Sequence, residues 1–74
     1  MEKDAALRAL GAAMQERRRA TGLSQDRFAD LIGMHRAYYG ALERGNRNLT
    51  FGTLLRVCAV LEVSASVLLA ESGL

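Results

Sequence analysis

The sequence has no proline and no tryptophan, only one cysteine, and only one histidine. With half of its residues apolar, the chain has the composition of a compact helical domain, and disorder is excluded on the same ground. The lone thiol, Cys58, rules out an internal disulfide framework. It sits inside the apolar run LLRVCAVLEV, where it reads as a small core residue rather than a reactive group. One histidine and one cysteine cannot fill a zinc shell, so no metal site is expected. No apolar stretch approaches the roughly 20 residues that span a bilayer, and no signal peptide opens the chain. The expectation is a soluble, cytoplasmic protein with no membrane partner.

Catalytic parts are equally scarce. Ser24, Asp30 and His35 lie close in sequence, but a nucleophile, an oriented base and oxyanion donors cannot all be assigned among them. Alternation at period two is nowhere sustained, so strands are not expected, and a glycine-rich phosphate loop has no strand to follow. Neither an enzyme nor a cofactor is expected. Seventy-four residues suffice for a single domain spanning 1–74, one that buries only about 60% of its unfolded surface and gains from a partner chain.

What the chain does have is arginine. All of its ten basic residues except Lys3 are arginine, and the formal net charge of +2 is unevenly placed. Residues 17–47 hold seven arginines against Asp26, Asp30 and Glu43, a local charge of +4, while the segments on either side each carry −1. Arginine pairs bidentately with phosphate and with guanine edges. A merely solvated charged surface is the plainer alternative.

Turn signals divide the chain into about five helices. The first runs from about Asp4 to Ala20, with Leu7, Leu10 and Met14 at helical spacing and Gly22 just past its end. Ser24 offers an N-cap for QDRFADLI. Gly33 stops that helix, and a third begins near His35 or Arg36 and ends at Arg44. Thr50 caps a fourth, whose Phe51, Leu54, Val57, Cys58 and Leu61 trace an apolar stripe. Ser64 caps a last short helix. The class is all-α. Between helices two and three lies a short glycine-containing turn, the shape of a helix-turn-helix over about residues 24–44. There Ala29 is small enough for a close crossing, and Tyr39 can plug the angle.

From about Leu10 to Leu69, the pieces GLSQDRFAD, GMHRAYYGALERGNRN and VSASVLL resemble the phage repressor and Cro type of helix-turn-helix, the XRE family. Within it, HRAYYGALERGNRN is most similar to the small controller proteins of restriction–modification systems. The resemblance implies a five-helix, repressor-like domain with helix three in the major groove of double-stranded DNA. Arg36 and Ala37 would face base edges. Gln25, Tyr38, Arg44, Asn46, Arg47 and Asn48 would bond the phosphate backbone, Gln25 also bracing helix three. Arg18 and Glu43 match a charged pair that ties helix one to helix three in relatives. His35 either contacts DNA or simply caps the helix. Arg17 departs from the family pattern, which has leucine there, and Gly52 is an unusual glycine inside helix four.

The tail holds more apolar groups than one small domain can hide. Val67, Leu68, Leu69 and Leu74 read as a two-fold dimer seam within about residues 60–74, with surplus core as the alternative. A homodimer also places two reading helices one DNA turn apart, on a palindrome. The function expected is a sequence-specific regulator of transcription that blocks or recruits RNA polymerase. A protein-interaction module of the same shape, such as the antitoxin of a toxin–antitoxin pair, is the rival.

Overall fold

The structure is a computed structural model and describes residues 2–74. Five helices follow one another: α1 (Lys3–Thr21), α2 (Gln25–Leu31), α3 (Arg36–Glu43), α4 (Phe51–Leu61) and α5 (Ala65–Glu71), with no strand among the described residues. Local chemistry sets most of their ends. Ser24, Thr50 and Ser64 each turn a hydroxyl onto the amide three residues ahead, at 3.1, 3.1 and 3.2 Å. This satisfies an amide that has no partner inside its helix. Glu2 does the same for α1 with its carboxylate, at 2.6 Å from the amide of Ala5.

The core gathers Leu10 and Met14 from α1, Phe28, Ala29 and Ile32 around α2, Tyr39 and Leu42 from α3, and Leu54, Val57, Cys58 and Leu61 from α4. Burial pushes the Cys58 thiol pKa up, as the reading of it as a small core residue requires. The long α1 packs against α3, α4 and α5. Its crossing with α3 is so close that a Cβ on Gly11 would overlap the carbonyl oxygens of Leu42 and Glu43. Only glycine fits there, and the two helices meet main chain to main chain.

Two expected placements are corrected. Phe51 does not join the apolar stripe of α4: it is 67% exposed. It is the first residue of its helix, where a side chain tilts back past the helix end, and it lies at the stripe's edge beside the exposed Leu55. Leu68 does not belong to a dimer seam, because it is fully buried in the core of its own chain. Consecutive residues on a helix point about 100° apart, so α5 cannot show both Val67 and Leu68 to one surface. It gives Leu68 to the core and leaves Val67 outside, with Leu69 half-buried against the same core.

Candidate nucleic-acid interface

The turn between α2 and α3 is fixed from three sides. Gly33 takes a left-handed φ of 69°, which costs glycine nothing. The amide of Met34 then reaches back to the carbonyl of Ala29 at 2.9 Å, closing the turn. From α4, the Arg56 guanidinium donates to the Ile32 carbonyl at 3.0 Å, satisfying an acceptor at the end of α2. Beneath the turn, the rings of Phe28 and Tyr39 pack at 4.9 Å between centroids. Sequence reasoning missed Arg56, since nothing near it in the chain announces a partner 24 residues away.

Under α3 lies a buried polar hub. The Arg18 guanidinium grips the Glu43 carboxylate as a fork, Nε to Oε2 at 2.7 Å and Nη2 to Oε1 at 3.2 Å, while Nη1 donates to the Leu23 carbonyl at 2.8 Å. Their side chains are only 8% and 0% exposed. From the start of α2, Gln25 Nε2 donates to the same Glu43 Oε1 at 2.8 Å. Burial alone would push the Glu43 carboxyl up; the hydrogen bonds from Arg18 and Gln25 outweigh it and hold the pKa below the usual range. The Tyr39 hydroxyl is buried beside this hub and meets no hydrogen-bond partner among the described residues; burial keeps it protonated.

On the outer side, His35, Arg36, Ala37 and Tyr38 are all exposed at the start of α3. His35 occupies the N-cap position but makes no side-chain cap bond, so its imidazole faces solvent. Gln25 and Arg44 converge over Gly40, where a Cβ would stand 3.4 Å from Gln25 Oε1 and 3.3 Å from Arg44 Nη1. Gly40 thus leaves room for both side chains at the crossing of α2 and α3. Arg47 stacks over the Tyr38 ring, 5.6 Å from its centroid. Tyr38, Asn46, Arg47 and Asn48 line an open groove of about 410 Å³ together with Lys3, Asp4 and Leu7 of α1. Lys3 therefore stands beside the loop residues, a neighbour that the sequence does not suggest.

The remaining arginines of the basic stretch divide. Arg17 reaches α5 and binds Glu71 through two hydrogen bonds, at 2.8 and 2.5 Å, which gives this charge a partner within the fold. Arg19 is exposed in the last turn of α1. Arg36 pairs with Asp26 across the angle between α2 and α3, Nε to Oδ1 at 3.3 Å.

With these helices in place, the family model described as Helix-turn-helix matches residues 14–68. The chain belongs to the helix-turn-helix family. It is a DNA-binding transcriptional regulator of the XRE type. Among its relatives is the Control protein C.SmaI of Serratia marcescens, 40% identical over 57 residues that cover 77% of this chain and 68% of that one. The restriction-modification controller protein C.AhdI of Aeromonas hydrophila superposes with a TM-score of 0.80 at 37% identity, covering 84% of this chain and 94% of its own. The clp gene regulator ClgR of Corynebacterium glutamicum gives a TM-score of 0.89 at 29% identity, with 92% of this chain and 72% of that one covered. No single helix of the described residues is long and apolar enough to cross a membrane.

Proposed function

We propose that this helix-turn-helix protein occupies a near-palindromic operator as a homodimer and acts as the controller of a restriction–modification system. The observation that carries the reading is the start of α3. Arg36 and Ala37 project from it, exposed, while the other side of the same helix is locked into the core. Arg36 suits the O6 and N7 acceptors of guanine, and Ala37 offers a methyl to thymine. His35 stands beside them as a third group facing the bases. Around this edge, Gln25, Tyr38, Arg44, Asn46, Arg47 and Asn48 supply donors for phosphate oxygens, which set register without reading sequence. Occupancy of the operator then blocks or recruits RNA polymerase. The likeness to control proteins favours the restriction–modification setting.

The dimer face falls to α4 and α5, which meet at 93° and carry Phe51, Leu55 and Val67 as exposed large apolar side chains, with Leu74 just beyond α5. Selection from a randomised duplex pool, followed by sedimentation with and without the selected DNA, tests the reading. A two-fold symmetric sequence bound by two chains is the expected outcome. Val67→Asp should yield monomers with intact helicity and much weaker operator binding. A selected site without symmetry, bound by one chain, would defeat the homodimer.

A further inference from the structure

Asp26 has no part in the family-based assignment of DNA contacts, yet it holds the side chain on which that assignment depends most. It stands in the first turn of α2, and its Oδ1 lies 3.3 Å from the Nε of Arg36. The two side chains are 74% and 66% exposed, so burial does not bring them together. The edge of the guanidinium that the acid takes is the informative part. A guanidinium presents donors along two edges, one from Nε and its neighbouring terminal nitrogen, the other from the two terminal nitrogens. The nearest approach is an ion pair at Nε, and among the described residues the terminal pair makes no hydrogen bond. Two parallel N–H donors are what the O6 and N7 of guanine accept.

We propose that Asp26 is a positioning residue for Arg36, holding its guanidinium by Nε so that the terminal nitrogens point at a guanine. The proposal rests on the reading of Arg36 as a base contact. Two effects follow from the same contact. An arginine already tethered loses less side-chain freedom when it grips the base. An arginine that swings away to a phosphate abandons a carboxylate, which then faces the negative backbone alone. Asp26 therefore sharpens the choice between sequences more than it raises affinity. An ionised carboxylate only accepts hydrogen bonds, so its role is to aim the arginine.

The test uses the full chain and a half-site recovered from a randomised duplex pool. Binding is measured for the selected duplex and for duplexes changed at each base pair in turn, with wild type, Asp26→Ala, Arg36→Ala and the double variant. Arg36→Ala should reduce discrimination at one base pair by roughly 5- to 150-fold, the range of a bidentate arginine–guanine contact. Asp26→Ala should reduce it at that same base pair by about two- to fivefold, as an exposed ion pair allows. In the Arg36→Ala background, Asp26→Ala should change nothing there. Asp26→Asn, which keeps the size and removes the charge, replaces Asp26→Ala if the alanine variant loses helicity.

An Asp26→Ala effect that is uniform over all sequences marks a mere change of local charge and overturns the positioning role. So does an equal effect with and without Arg36, or none at all. A uniform loss in Arg36→Ala is a separate failure: it removes Arg36 from base reading, and the role of Asp26 goes with it.

Discussion

On its inner side α3 presents Tyr39, Leu42 and Glu43, all buried, whereas Arg36, Ala37 and Tyr38 at its start are exposed. The inner residues are fixed by short contacts: a two-bonded ion pair, a glutamine from α2 and a ring packed at 4.9 Å. The outer ones are held by a single 3.3 Å ion pair and a stacked arginine at 5.6 Å. One helix of eight residues thus separates two tasks. The interior decides where the helix lies, and the exterior decides what it can touch. Exposed pairs are worth little in water, while a buried pair that loses one partner strands a charge.

The strongest way to break this contrast is from below. Glu43→Ala leaves Arg18 buried and unpaired, and should cost about 3–5 kcal/mol of folding stability. Chemical denaturation of Glu43→Ala, Arg18→Ala and the double variant measures it, with a large coupling between the two sites expected. Additive losses would mean that the two charges are solvated independently.

Acid is a gentler version of the same break. Because the Glu43 carboxyl has a lowered pKa in the folded chain, its contribution is complete above the unfolded value of about 4.3. It is lost as the pH falls through the lower folded value. A thermal melt series from pH 6 downward should show the wild type losing stability in that window, about which Glu43→Gln should be less sensitive.

On the outer side the effects should leave stability alone and appear in binding. Arg36→Ala should weaken the selected operator by about 1–3 kcal/mol and relax preference at one position per half-site. A loss spread over every sequence would make Arg36 a phosphate contact. Smaller again is Arg47→Ala, which should weaken specific and non-specific DNA almost equally and lower the log–log salt slope by about 1 per half-site. An unchanged slope would take Arg47 out of the interface.

The helices were legible because their signals are local. Ser24, Thr50 and Ser64 cap where they stand, and Gly22 and Gly33 take the left-handed backbone expected at helix ends. The failures are all matters of distance or facing. Periodicity put Phe51 on the stripe, but spacing does not say that nothing covers the first turn of α4. The apolar tail was visible, yet the choice of Leu68 over Val67 for the core depends on how α5 lies on α1. The pairing of Arg18 with Glu43 came from family resemblance, since 25 residues separate them. Asp26 with Arg36, Arg56 with Ile32, and Lys3 beside the 45–48 loop had no signal in the chain. Gly11 and Gly40 had no signal either, because a glycine's reason for being there can lie entirely in its neighbour.

The crossing at Gly11 bears on how such a protein can change over time. Where two main chains touch, no side chain is available to be traded for a larger or smaller one, so the seat of α3 tolerates almost no drift. Arg36, Ala37 and their neighbours stand in open solvent, where replacements disturb nothing beneath them. A substitution at this crossing would move α3 itself, whereas one at the start of α3 changes only what the helix presents to its surroundings.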